Sequence, residues 1–280
     1  MIREAPTPVP VMTTANILPS PQQETMDQPP VLLIIEDNEE VNSLLRDHFA
    51  GRFTILYALH GEAGWEMATE SMPDLIISDV MMPGLNGNEL CHRLKTDLRT
   101  SHIPIILLTA RSGLQAQLEG LETGADDYIT KPFHLSLIDV RVQNLLQSRR
   151  LLRERYSRDL TLQPSALAIT PADTIFLEKL INYIEDNLME PTLQVDELGK
   201  VVNMSRTTLY RKLKALTGLS AIEFIRDIKL KRSAQLLQLK EYTVNEVAYM
   251  AGFTDVDYFR KCFKQQFGKT PSAFVHEADS

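Results

Sequence analysis

The 280 residues carry 29 Lys and Arg against 37 Asp and Glu, a net charge of −8, and 44% of them are hydrophobic. That is enough apolar material for two domains of ordinary size, and the acidic balance excludes a chain that binds nucleic acid along its whole length. Cys91 and Cys262 sit in no CxxC or Cys/His cluster, no apolar run reaches the ~18 to 20 residues of a membrane span, and no signal-like pattern opens the sequence, so we expect a cytoplasmic protein without membrane contact.

Residues 1–30 are rich in Pro, Thr, Ser and Gln and read as a disordered leader or linker. From residue 31 strand and helix patterns alternate. Strands are expected at 31–35, 53–57, 75–78, 105–108 and 128–129, with helices at 39–50, 62–71, 87–98, 114–123 and 135–148. Five strands alternating with five helices give an α/β fold with a five-stranded, parallel, doubly wound sheet, placed at 31–147. Residues 148–172 contain Arg149, Arg150, Arg153, Arg155, Pro164 and Pro171 and read as a linker, helical at its start. From Asp173 only helical segments follow, so an all-α domain is expected at 173–275, ahead of a short tail at 276–280. The charge is divided accordingly: 31–147 hold 8 basic against 17 acidic residues, whereas 200–269 hold 14 against 6.

The apolar run Leu75 to Ser78 ends on Asp79 and meets the turn Met81-Met82-Pro83-Gly84. In an open parallel sheet that end of a strand is where ligands bind, although Asp79 taken alone could equally cap the next helix. Glu36 and Asp37 close the first strand, Thr109 the fourth, and Lys131 follows the fifth. Three carboxylates at one rim call for a cation, and oxygen ligands with open positions suit Mg²⁺. A hydroxyl and an ammonium beside them suit an arriving phosphoryl group. The constellation points to phosphorylation of Asp79.

Four segments carry a resemblance: Ile34-Ile35-Glu36-Asp37-Asn38, Ser78-Asp79-Val80-Met81-Met82-Pro83-Gly84, Leu107-Leu108-Thr109-Ala110, and Tyr128-Ile129-Thr130-Lys131-Pro132-Phe133. In this order they resemble the signature segments of response-regulator receiver domains. The resemblance implies Asp79 as phosphoacceptor, Asp37 as a direct Mg²⁺ ligand, Glu36 as a ligand through water, and the backbone carbonyl of Met81 as a further oxygen. It implies that Lys131 and Thr109 bind the phosphoryl group, that Tyr128 swings inward when Thr109 moves, and that Lys131–Pro132 is cis. Glu36 stands where the family more often has Asp. An enzyme of the haloacid dehalogenase type would also use an aspartyl phosphate, but it places an acid two residues after the nucleophile, where this chain has Met81. We therefore expect phosphoacceptance and slow self-hydrolysis, without turnover of a metabolite.

In the helical part, 195–202, Asn203-Met204 and 205–218 read as helix, turn and helix, with Ser205 as N-cap and Leu209, Leu213 and Leu216 inward. The other face carries Arg206, Thr207, Tyr210, Arg211 and Lys214. The device repeats at 244–251 and 255–267: Phe259, Phe263 and Phe267 point inward, Val256, Asp257, Arg260, Lys261 and Lys264 outward, and a long helix at 221–239 joins the units. A basic helix face is usually only a solvated one. Two such faces, each on the second helix of a helix-turn-helix, point to DNA. Residues 174–275 also resemble the AraC/XylS transcription factors, most specifically in Val247-Ala248-Tyr249-Met250-Ala251-Gly252-Phe253 and Phe267-Gly268-Lys269-Thr270-Pro271. That resemblance implies base-facing roles for Thr207, Tyr210, Arg211, Val256, Asp257, Arg260 and Lys261. Asp257 could accept from a cytosine amine; we read it as a helix cap. Cys262, beside the Phe stripe, reads as core.

Together these readings give a two-component regulator whose phosphorylation on Asp79 by a histidine kinase controls binding to double-stranded DNA, with RNA polymerase as a further partner. Phosphorylation would promote a homodimer through the face at 114–148. The alternative is a phosphotransfer sink whose helical part binds only protein. Receivers of this style joined to AraC-type modules also occur as the tail of hybrid sensor kinases.

Overall fold

A computed structural model describes residues 29–110, 123–158 and 170–277. Five parallel strands, β1 (Val31–Ile35), β2 (Thr54–Ala58), β3 (Leu75–Asp79), β4 (Ile105–Thr109) and β5 (Asp127–Thr130), form one sheet in the order β2-β1-β3-β4-β5. The interior strands β3 and β4 are buried along their whole length, as near-continuous Ile/Leu runs require when helices cover both faces. Alternate residues serve opposite faces. Leu33, Ile35, Ile76 and Leu107 pack with Ala68 of α2 (Gly61–Ser71) and Leu90, Cys91 and Leu94 of α3 (Gly87–Thr96). Leu32, Ile34, Ile77 and Ile106 pack with Leu45 and Phe49 of α1 (Glu39–Phe49) and Ile138 and Val142 of α4 (Leu135–Arg158).

The α/β expectation holds, with the helix expected at 114–123 lying, all but Thr123, outside the described residues. Two helix ends differ. α3 stops at Thr96 because Asp97 leaves the helix with its carboxylate on the backbone N–H and guanidinium of Arg99. α4 runs ten residues past 148, stabilised on its exposed side by the i,i+4 pair Arg150–Glu154, so the stretch read as a linker starts as helix.

The second unit is all-α: α5 (Pro171–Asp186), α6 (Val195–Val201), α7 (Arg206–Thr217), α8 (Ala221–Gln238), α9 (Val244–Met250), α10 (Val256–Phe267) and α11 (Pro271–Glu277). α8 divides its length between two cores. Phe224, Ile225 and Ile228 pack with Phe176 and Leu180 of α5 and Leu209 and Leu213 of α7. Leu230, Ala234 and Leu237 pack with Val247 of α9 and Phe259 and Phe263 of α10. α11, which the sequence reading did not anticipate, lays Phe274 edge-on against Phe263 with ring centroids 5.4 Å apart. No helix among the described residues is long and apolar enough to cross a membrane.

Candidate functional site

The strand order reverses between β1 and β3, which is where a doubly wound sheet opens a crevice at its carboxyl rim. β1 carries its buried run one residue further, so Glu36 is only 1% exposed and its backbone N–H donates to Ala58 O at 3.1 Å. Asp37 follows into solvent, and Asn38 turns the chain by capping α1, accepting from the N–H groups of Glu40 and Val41. β3 delivers Asp79, which is buried and accepts from the backbone N–H of Val80 at 2.9 Å. Behind it α3 begins on Gly87, where a Cβ would lie 2.1 Å from the carbonyl oxygen of Asp79; only glycine lets the helix start so close.

One carboxylate oxygen each from Glu36, Asp37 and Asp79 falls within 4.8 Å of the others. Lys131 Nζ reaches Glu36 Oε2 at 2.8 Å and Asp79 Oδ1 at 3.1 Å. The turn that aims it has a cis Lys131–Pro132 bond, and the Lys131 N–H donates to Thr109 O at 2.7 Å. Thr109 closes β4 at the same rim and is buried. Burial, reinforced by the charge of Asp79, raises the Glu36 carboxyl above its ordinary range, although Lys131 pulls it down. Burial alone would lower the Lys131 ammonium, but its bonds to Glu36 and Asp79 outweigh that and raise it. Three acids thus face one ammonium, an excess of negative charge among hard oxygen donors that fits a divalent cation with carboxylate ligands. Exposed Met81 lines the cleft beside Asp37. Tyr128 stands farther back, half-buried against the α3 side of the sheet, its hydroxyl bonded to that of Thr123.

In the helical unit Ser205 caps α7, accepting from Thr208 N, and Arg206, Thr207, Tyr210 and Arg211 are exposed. α10 corrects two expectations. Its cap is Asp255, which accepts from the N–H groups of Asp257 and Tyr258. Asp257 is instead an exposed partner of Arg260 at 3.1 Å. Val256, expected outward, is half-buried and packs against the second core. Arg260 also bonds Asn245 Oδ1 at 3.2 Å, while Lys261 and Lys264 are exposed. Cys262 is buried, as expected. Both α7 and α10 end on a left-handed glycine, Gly218 at φ 76° and Gly268 at φ 73°. Their N-terminal residues Arg206, Asp255 and Tyr258 line one cleft, about 720 Å³ in volume, with Ile222 and Arg226 of α8 between them.

The sequence reading missed Lys212. It is fully buried, with Nζ 2.7 Å from Asp173 Oδ1 and 2.8 Å from Ser101 Oγ. Its position between Leu209 and Leu213 on the apolar side of α7 was the available signal.

Known proteins match the chain in two places. Residues 32–143 match the response regulator receiver domain and residues 198–277 a helix-turn-helix domain. The chain is 39% identical over 243 residues to "Histidine kinase P4" of Formosa agariphila, an alignment that covers 87% of this chain and 18% of that protein. It is 33% identical over 171 residues to the "DNA-binding dual master transcriptional regulator RpaA" of Synechocystis, covering 59% of this chain and 70% of that one. Among solved structures, the receiver domain of a signal transduction histidine kinase from Syntrophus aciditrophicus is 35% identical, with a TM-score of 0.40, over 42% of this chain and 91% of the other. The chain therefore spans only a small part of one curated relative and most of another.

Proposed function

The chain belongs to the response regulators of two-component systems, a receiver domain joined to a helix-turn-helix domain, and from that premise we propose that phosphorylation of Asp79 controls sequence-specific binding of its helical unit to DNA and so transcription. The observation that carries the reading is the rim itself: Asp79 is buried between two acids and a lysine, with a strand-end threonine beside them. We place the receiver at 31–147 and the DNA-binding domain at 173–275, each enclosing its own apolar core or cores.

Asp79 attacks the phosphorus of a phosphohistidine. The P–N bond breaks, an acyl phosphate forms, and the imidazole leaves. Lys131 takes one of the new phosphoryl oxygens in place of its present contact with Asp79, and the Thr109 hydroxyl takes another. Glu36, Asp37, Asp79 and the Met81 carbonyl would hold Mg²⁺, which supplies positive charge to the phosphoryl oxygens when bound. Met81 leaves the position two residues after Asp79 without a general acid, so water cleaves the acyl phosphate slowly and no metabolite turns over. The relative named a histidine kinase supports such a kinase as donor. The acidic receiver and the basic helical unit support DNA as the partner of the latter, with Arg206, Thr207, Tyr210, Arg211, Arg260, Lys261 and Lys264 as contacts. RNA polymerase and a phosphorylation-promoted homodimer complete the proposed set of partners.

Phosphodonor labelling of purified protein in the presence of Mg²⁺ tests the first half. Labelling should be lost in Asp79→Asn, and its persistence would move the phosphoacceptor to another acid.

A further inference from the structure

α1 turns three residues into the receiver core, Asn42, Leu45 and Phe49, at the i, i+3 and i+7 spacing of one helix face. Two of them are the apolar residues that such a face calls for. The third is an amide, 1% exposed, near the start of the helix. Its Nδ2 donates to Glu36 O at 3.1 Å and to Ala58 O at 3.3 Å. Ala58 O also accepts from Glu36 N, just beyond Ile35 and Ala58, the last pair of the β1–β2 ladder. Asn42 therefore ties off the two strands where β1 gives way to Glu36 and Asp37. These bonds are made at a cost, because Asn42 Oδ1 is buried without a hydrogen bond to another described residue.

On the reading that the acidic rim binds Mg²⁺, we propose that Asn42 is a positioning residue of that site. By holding the Glu36 carbonyl it fixes the Glu36–Asp37 peptide, and with it the directions in which the two carboxylates leave the backbone. That peptide separates a buried acid from an exposed one. Glu36 turns inward to Lys131 at 2.8 Å and Asp37 outward, yet one oxygen of each lies within 4.8 Å of the other and of Asp79. Rotating the peptide would carry Asp37 away from Asp79 while Leu45 and Phe49 stayed packed. The far side of the turn is held by Asn38, which caps α1 with its side chain and accepts from Asn42 N through its carbonyl at 2.9 Å. The two acids are thus suspended between two asparagines. Groups that orient a metal's ligands without touching the metal are typically worth ~10 to 100-fold in affinity. Asn42 stands in that relation to Asp37.

If the amide only sealed the ends of β1 and β2, its loss would lower the amount of folded chain and leave the metal affinity of the remainder unchanged. The test uses the full chain with Asn42→Leu, which keeps the bulk and removes both donors, and with Asn42→Ala, which removes them without straining the core. Mn²⁺ is titrated with its free-ion electron paramagnetic resonance signal as readout, and Mg²⁺ as competitor. Both variants should bind about tenfold more weakly than wild type. Labelling of Asp79 by acetyl phosphate should need correspondingly more Mg²⁺ and reach the wild-type rate at saturation. Equal affinity, or labelling lowered by the same factor at every Mg²⁺ concentration, would overturn the proposal. So would failure of both variants to fold, since the amide would then serve the core. Asp37→Ala separates the premise from the proposal: Mn²⁺ binding as tight as wild type in that variant would overturn the Mg²⁺ reading itself, and the role of Asn42 with it.

Discussion

Glu36 and His102 show how much each site owes to single buried groups. Glu36 and Asp79 share one ammonium, so Lys131→Ala leaves two buried acids facing each other with no cation between them. Discounting for the partial exposure of Lys131, we expect the substitution to destabilise the fold by about 1–3 kcal/mol and to lower phosphorylation of Asp79; unchanged urea denaturation and labelling would contradict this. His102 is buried. Burial first, then the charges of Lys212, Arg149 and Lys95, hold its imidazole well below the ordinary range, with Asp173 pulling the other way. The unfolded chain takes up a proton below pH ~6.5 that the folded chain refuses, so stability falls as pH drops through that value, by at most about 1.4 kcal/mol per pH unit. Asp173, held below its ordinary value by Lys212 against the effect of burial, titrates beneath this window. Urea midpoints at pH 7.5 and 5.5 should differ, and His102→Gln should reduce the difference; no change would contradict the account. The strand-end acids were legible because strand ends are visible as the edges of apolar runs. His102 was not, and Lys212 was legible only as a residue on the apolar side of α7, because no local pattern tells that a loop and a helix 111 residues apart in sequence are in contact.

Elements were legible wherever one side of them faces water. α10 shows its Phe259, Phe263 and Phe267 stripe openly, and its start was misplaced only in the capping residue. Asp255 and Asp257 are both acids near a helix N-terminus, and only geometry distinguishes the one whose side chain turns back onto the N–H groups. Asp255→Ala should therefore cost about 1 kcal/mol of stability and Asp257→Ala within about 0.5 kcal/mol of zero; thermal unfolding of the two variants side by side distinguishes them, and equal losses would contradict the assignment. α8 was harder to interpret because it is buried on nearly every side, including Lys229 and Lys231, and so serves two cores rather than one face. The continuation of α4 past residue 148 was foreseen only at its start, since beside the local pair Arg150–Glu154 it is held by the contact of Arg153 with α7, which no local pattern shows. At the junction of β3 and α3, Gly87→Ala would force a methyl group onto the Asp79 carbonyl, so a loss of roughly 1–3 kcal/mol and a weakened Asp79 site are expected together. Wild-type stability and labelling in that variant would show that the backbone there can yield.

At the scale of the molecule, the division into an acidic α/β unit and a basic helical unit was visible in the charge distribution alone. What the sequence could not give was their mutual arrangement, which depends on a seam made by the last carbonyls of α2 and by side chains from the loop after α3, from α4, α5 and α7. That seam lies at the opposite end of β4 from the acidic rim: Ser101 and His102 precede the strand, and Thr109 closes it. A signal from Asp79 has the length of β4 to cross. The central claim is that phosphorylation at Asp79 governs DNA recognition by the helical unit. Its most direct test is to expose the purified chain to fragmented genomic DNA at physiological salt, with and without a phosphodonor and Mg²⁺, and to sequence what is retained by wild type and by Asp79→Asn. The account predicts a common sequence whose enrichment rises with the phosphodonor in wild type and does not respond in the variant; no selective retention, or equal retention in all four samples, would contradict it.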